Sequence, residues 1–315
     1  MKYATNLINK RSITNYRDKY YDHFSSEEYE KAPNFFQDKN YMMRHVTPLD
    51  NYVFDGNSLT IIFFKEGFGE LHWKHKSTKI GHNKFIVINP SIGWEYTNEK
   101  RQYIDVLSLV ISNEFRKQLN FYNNATVDQL LDTPFHQIED HSFFMENPLN
   151  ADYYSSGKLL KAIHQQSADD EFKLLSPEEL AIEVLQRISE EQIKAYTYAS
   201  RIEAKKKNTQ IEIYRRLLIV YEYIHDNIAN PISFQELSLE SSLSKYHLYE
   251  SFKTVYGKTP HQYINCLKVT KAKEYLQKEM FSISEVADLL GYSDLSVFSK
   301  VFKKVYGKPP SYYQK

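Results

Sequence analysis

One cysteine, Cys266, in 315 residues excludes an intrachain disulfide and any metal site built on paired thiolates. That scarcity fits a reducing compartment and leads us to expect a cytoplasmic protein. Glycine is also sparse, at 9 residues, and no Gly-rich phosphate loop, Gly-x-Ser-x-Gly elbow or His-Glu-x-x-His stretch occurs. Long apolar runs are missing. The longest, such as Leu59 to Phe64, fall far short of the ~20 residues of a membrane span. The N-terminal stretch MKYATNLINKRSITNY lacks the apolar core of a signal peptide. Net charge is absent as well, with 40 Lys/Arg balanced by 40 Asp/Glu.

What is present is unevenly distributed. Residues 1–204 carry 23 Lys/Arg against 29 Asp/Glu, residues 205–230 carry 5 against 3, and residues 231–315 carry 12 against 8. The asymmetry has two readings, ordinary scatter or a basic end that faces a polyanion. With 42% hydrophobic and 25% charged residues, the chain has a globular composition and length enough for two domains.

Residues 1–50 show weak periodicity. Short strands are then expected at Ser58–Phe64, Glu70–His75, Lys84–Ile88 and Tyr103–Ile111, with a turn at Gly67–Gly69 and a break at Asn89-Pro90. Their spacing suggests a small β-sandwich or barrel. Beyond Ser112, a possible N-cap, the pattern turns helical, with helices expected at Asp152–Gln166, Pro177–Lys207 and Glu212–Ile228. Ser176-Pro177-Glu178-Glu179 is a helix start signal. The apolar stripe of the second helix serves either domain packing or the pairing of two protomers. Lys205-Lys206-Lys207 reads as a linker-like charge run.

The last 85 residues contain one unit written twice. ISFQELSLESSLSKYHLYESFKTVYGKTP (Ile232–Pro260) and ISEVADLLGYSDLSVFSKVFKKVYGKPP (Ile283–Pro310) both end Phe-Lys-x-Val-Tyr-Gly-Lys-x-Pro. The offset is 49 near the start and 50 near the end, so one residue is inserted in the second turn. Each copy opens with a capping-box pattern, Ser233-x-x-Glu236 and Ser282-x-x-Glu285. A short helix, a turn at Ser242 or Gly291 and a second helix should follow. The expected cores are Leu237, Leu243, Leu248 and Phe252, and Val286, Ala287, Leu290, Tyr292, Phe298 and Phe302. This is helix-turn-helix spacing, in which the second helix enters the DNA major groove.

The doubled motif, and LLGYSDLSVFSKVFKKVYGKPPSYY in particular, resembles the AraC/XylS family of transcriptional regulators over residues 209–315. The resemblance extends with less specific motifs over residues 55–205, where FKEGFGELHW and KFIVINP occupy the places of cupin-like sensor strands. It implies an α+β protein. Residues 1–204 would form a cupin-like β-barrel sensor with a helical dimerisation segment. Residues 209–315 would form two helix-turn-helix subdomains joined by a helix, Pro260–Gln277. Such a helix spans ~27 Å at ~1.5 Å per residue, comparable to one turn of B-DNA. The expected base contacts are Lys245, Tyr246, Tyr249 and Glu250 in copy one, and Leu295, Ser296, Ser299 and Lys300 in copy two. Glu250 departs from the arginine common there, and a carboxylate accepts from cytosine but repels phosphate. Lys300 can donate to guanine and Leu295 can meet a thymine methyl. Lys253, Lys303, Lys304 and Ser311 suit phosphates. Lys268 stands where the family usually has arginine, so a bidentate contact there is not carried over.

The resemblance further implies an activator that engages RNA polymerase, pairs as a homodimer and answers a small-molecule effector, with Trp73, Trp94 and Tyr96 lining the effector pocket or merely the core. No catalytic residue and no cofactor is expected. Alternation along a strand sends His72 and His75 to opposite faces, so with His82 and Glu70 they do not make a metal cupin. Two other readings stay open: a cupin-type enzyme with a DNA-binding tail, and a regulator whose sensor half binds a protein partner.

Overall fold

The computed structural model describes residues 2–8, 40–54, 58–73, 76–90, 93–132, 144–167, 177–278 and 281–314. The chain divides into two compact units, Met1–Ile193 and Lys194–Lys315. Ser176 and His75 lie outside the described residues, so the N-cap of the Ser176-Pro177 start signal and the end of the expected Glu70–His75 strand are not described.

In the first unit, β1 (Lys2–Ile8), β2 (Tyr41–Phe54), β3 (Leu59–Glu66), β4 (Gly69–Trp73), β5 (Lys76–Ile80), β6 (Lys84–Ile88), β7 (Trp94–Ile111) and β8 (Leu149–Asn150) form one sheet, with α1 (Asn113–Asn124), α2 (Val127–Asp132) and α3 (Ser155–Gln166) between and beyond the last strands. The order is β1-β2-β7-β3-β6-β8, with the β4–β5 hairpin attached to β7. β7 is longer than the expected Tyr103–Ile111 strand and serves two neighbours in succession. Residues 95–97 pair with β4 and residues 105–111 with β3.

Strand alternation then fills two cores. Phe63, Phe85, Leu107 and Leu109 face Leu160 and Ile163 of α3 and Val184 and Ile188 of α4 (Pro177–Ala199). Ile62, Phe64, Ile86 and Val106 face the other way, against Leu71, Ile80 and the first half of β7. The sheet folds over that second core, and among the described residues its ladder does not close.

Three carboxylates fasten this unit. Glu191 of α4 accepts from the Ser155 and Ser156 hydroxyls at 2.7 and 2.5 Å and from the Ser156 amide at 3.0 Å, supplying the cap that Tyr154 cannot. Glu146 accepts from Trp73 Nε1 and from Asn89. Asp105 accepts from Arg44 Nε and Nη2 at 2.9 and 2.8 Å and lies 2.8 Å from His164 Nε2. Burial pushes the Asp105 carboxyl up, but hydrogen bonds from His164 and Arg44, and their charges, outweigh it and hold it at about 2.

The expected helix Pro177–Lys207 stops at Ala199. The Ser200 hydroxyl bonds back to the Thr197 carbonyl, and the Arg201 and Ile202 amides reach carbonyls three residues back. These tight turns bury Ile202. The charge run is therefore no linker throughout: Lys207 already opens α5 (Lys207–Asp226), earlier than the expected Glu212.

The second unit is helical: α5, α6 (Phe234–Ser241), α7 (Lys245–Tyr256), α8 (Pro260–Gln277), α9 (Ile283–Leu289), α10 (Leu295–Tyr306) and a 3-10 turn, Pro310–Tyr312. The repeat is larger than the two helices legible in the sequence. Leu217, Val220 and Ile224 of α5 and Val269, Ala272 and Leu276 of α8 are all fully buried, each pair 52 residues apart. The unit is thus three helices long, with α5 supporting copy one and α8 supporting copy two. The correspondence runs to the end. Tyr263 packs edge-on against Phe252 with ring centroids 5.5 Å apart, and Tyr313 does so against Phe302 at 5.6 Å.

Candidate nucleic-acid interface

Each reading helix is set up by the turn before it. Both capping boxes form: Ser233 N donates to Glu236 and Ser282 N to Glu285 at 2.8 and 2.7 Å, and both serine hydroxyls accept the reciprocal amide. The backbone hydrogen bonds from Ser233 and Ser282 hold both glutamates below the ordinary carboxylate range. α6 ends at Ser242 with φ 52°, and in copy two Gly291 has φ 68°. Copy one therefore holds a serine in the left-handed region that glycine occupies freely in copy two. Ser244 then caps α7 and Asp294 caps α10, which puts the inserted residue between the turn and the second helix.

On α7 the sequence Tyr246, Tyr249, Glu250, Lys253 follows the i, i+3, i+4, i+7 rule and shares one exposed face, with Tyr246 71% exposed. Leu248, Phe252 and Val255 fill the buried side. On α10, Ser296, Ser299, Lys300 and Lys303 make the equivalent face over Phe298 and Phe302, with Ser299 half-buried and the others exposed. Lys245 and Leu295 are exposed at the first position of each helix, Lys304 is exposed near the end of α10, and Ser311 is exposed on the 3-10 turn. Hydrogen bonds from the Ser296 backbone and side chain and the Val297 backbone, with the nearby Lys300 charge, hold the Asp294 carboxyl down.

Two expected core residues are less buried than the rest. Leu243 is half-buried, so the core of copy one is Leu237, Leu248 and Phe252 with Val255. Tyr292 is also half-buried, packed on the rim of its core, where burial pushes its hydroxyl up to about 12. Lys268 is not on the surface: it is 7% exposed, and its ammonium donates to the Leu290 carbonyl at 2.6 Å. Desolvation lowers its pKa.

The latches were missed in the sequence. Arg216 Nη1 donates to the Ser242 carbonyl at 2.9 Å, from a position on α5 equivalent to that of Lys268 on α8. The signal that finds them is the 52-residue offset of the buried positions.

The expected effector-pocket residues come together in the first unit. Trp73, Trp94 and Tyr96 all belong to the second apolar core, where the Tyr96 hydroxyl donates to the Phe68 carbonyl at 2.6 Å. His72 sits 2.7 Å from Thr97 Oγ1 and His82 is exposed. No group of three metal-binding side chains occurs among the described residues, and none of the described helices is long and apolar enough to cross a membrane.

A helix-turn-helix domain model matches residues 237–315. The protein named "Probable transcriptional regulator LumQ" of Photobacterium leiognathi is 35% identical over 98 residues, which is 31% of this chain and 40% of that protein. The raffinose operon transcriptional regulatory protein RafR of Pediococcus pentosaceus is 30% identical over 112 residues, 36% of this chain and again 40% of its own length. The chain thus spans well under half of these two relatives. The multiple antibiotic resistance protein MarA of Escherichia coli K12 is 30% identical over 95 residues, 30% of this chain but 75% of MarA. The solved C-terminal domain of the response regulator yesN from Fusobacterium nucleatum is 26% identical, covering 30% of this chain and 94% of that one with a TM-score of 0.29. By its doubled helix-turn-helix, and by a match that takes in three quarters of MarA, this chain belongs to the AraC/XylS family of transcriptional regulators.

Proposed function

We propose that the chain is a sequence-specific regulator that reads a two-part DNA site with α7 and α10, in the cytoplasm and without enzymatic activity. One observation carries this reading: two equivalent helix-turn-helix units each present the same i, i+3, i+4, i+7 face to solvent. Tyr246, Tyr249 and Glu250, flanked by Lys245, meet base edges in one major groove, and Leu295, Ser296, Ser299 and Lys300 do so in the next. Lys253, Lys303, Lys304 and Ser311 engage phosphates and fix the docking position. Residues 217–315 contain no arginine, so no guanidinium fork reads guanine here and lysine acts as a point charge.

Residues 1–204 act as a cupin-like sensor for a small-molecule effector, with Trp73, Trp94 and Tyr96 in an apolar core. They pair the chain with a second copy, and the DNA-bound dimer recruits RNA polymerase as an activator. Linkage requires the effector to bind the DNA-competent and DNA-incompetent states with different affinity. The test is selection from a random duplex library with the full chain. A two-part consensus is expected, and enrichment of no preferred sequence overturns the reading.

A further inference from the structure

We propose that Lys268 is a positioning residue that sets the spacing between the two reading helices, with Gly291 as the surface it works against. The inference rests on the DNA reading above and concerns how that reading is made specific for one spacing.

The turn of copy two touches copy one's own segment. A Cβ built on Gly291 would lie 2.2 Å from the carbonyl oxygen of Ala229, in the loop that leads from α5 to α6, and 3.4 Å from the Lys268 ammonium. Only a residue without a side chain fits there. Lys268 approaches from α8, donates to the Leu290 carbonyl at 2.6 Å and lies 5.3 Å from the Tyr292 ring centre. α8 itself is shared. Tyr263, near its start, packs against Phe252 and Tyr256 of copy one, while Val269, Ala272 and Leu276 lie in the core of copy two. Lys273 adds a hold on the end of copy two, over the rings of Tyr306 and Tyr313.

The Arg216 latch differs in this respect. It ties the turn of copy one to copy one's own support and is solvent-accessible. Lys268 is buried where three pieces meet: the shared helix, the turn of copy two and the loop of copy one. Removing its ammonium leaves the Leu290 carbonyl without that donor and frees the copy-two turn to shift on Ala229. The second reading helix would keep its face but lose its fixed distance from the first.

The experiment uses the full chain and the duplex enriched by the wild type. Gel shift compares that duplex, versions with one base pair added or removed between its halves, and each half alone, for the wild type, Lys268→Met, Lys268→Arg and Gly291→Asn. Asparagine tolerates a left-handed backbone, yet its Cβ still meets Ala229. Two linked readers gain ~10²–10⁴ over either alone, and a loosened link should forfeit roughly tenfold of it. Lys268→Met and Gly291→Asn should lose about that much on the intact site, keep wild-type affinity for each half, and discriminate poorly between the three spacings. Lys268→Arg should restore discrimination. Unchanged spacing discrimination in Lys268→Met, or an equal loss on the single halves, overturns the proposal. A wild type that enriches no duplex is a different result, and it removes the DNA reading itself.

Discussion

Arg216 and Lys268 stand 52 residues apart and make the same connection, each from a supporting helix to a carbonyl of the helix-turn-helix turn that follows, at 2.9 and 2.6 Å. The equivalence extends the repeat back to α5 and on to Tyr313. It also isolates what the copies do not share. The turn of copy one is held by a half-exposed guanidinium that Glu212 also grips at 2.9 Å. The turn of copy two is held by a buried ammonium against a glycine. The two readers are equal in architecture and unequal in how they are fastened.

That inequality predicts opposite outcomes for reciprocal substitutions at the turns. Ser242 is exposed at φ 52° and its carbonyl, not its side chain, carries the Arg216 bond. Ser242→Gly should therefore stabilise the chain by about 0.5–1 kcal/mol, by removing left-handed strain. Gly291→Ser should destabilise it by more than that, because its Cβ meets the Ala229 carbonyl. Thermal unfolding followed by far-UV circular dichroism measures both. A destabilised Ser242→Gly would mean that the serine hydroxyl, and not the backbone, matters at that turn.

Lys300 stands one turn after Ser296 on the exposed face of α10, closer to the first turn than Lys303. Lys300→Ala should weaken binding at one base position, by about 1–3 kcal/mol, and relax the preference there. Competition gel shifts with single-base variants of the selected site resolve the effect. Equal weakening on every variant would reassign Lys300 to the phosphates.

Lys303 and Lys304 lie in the last turn of α10, at the far end from its N-cap Asp294. Replacing both with alanine should weaken binding evenly across sequences. The slope of log affinity against log salt should become shallower by about 2, since each phosphate contact contributes ~0.9. A salt titration over one decade suffices, and a sequence-selective loss would show that one of them reads a base.

Much of the DNA-binding half was legible because its signals are local. Capping boxes, the bounds of α8 at Pro260 and Gln277, and the strained turn at Ser242 each follow from a few adjacent residues. The reading faces follow from helical spacing. What stayed hidden depends on distance. The upstream third of the repeat keeps few identities, Gln210 for Gln262 and Glu222-Tyr223 for Glu274-Tyr275, and its buried positions keep only apolar character, Leu217 for Val269 and Ile224 for Leu276. Lys268 sits among Lys271, Lys273 and Lys278, and the sequence marks it only as standing where the family usually has arginine; the packing of α8 on the copy-two turn is what buries it. In the first unit, the strands at 59–66 and 84–88 announced themselves by apolar runs. Of β7 only the second half, Tyr103–Ile111, did so; the first half from Trp94 did not, because the two halves answer to different partners, and that is settled by pairing and not by composition.

The first unit offers a prediction from a single carboxylate. Asp105 joins β7 to Arg44 of β2 and to His164 of α3, and those partners hold it at about 2, below its ordinary 3.8. A carboxyl depressed in the folded state contributes stability that is fully present above its unfolded value and is lost as pH falls through its folded value. The loss should therefore fall between about pH 4 and pH 2 and amount to about 2 kcal/mol. Asp105→Asn removes the titrating group and the charge that Arg44 and His164 face. It should be less stable than the wild type at pH 7 by a similar amount, and the gap between the two should narrow as the wild type is acidified to pH 2. Trp73 and Trp94 are the only tryptophans in the chain and both lie in this unit, so urea unfolding followed by their fluorescence reports it directly. A gap that stays constant from pH 7 to pH 2 would show that Asp105 contributes through shape and hydrogen bonding alone, and that its charge does not hold β2, β7 and α3 together.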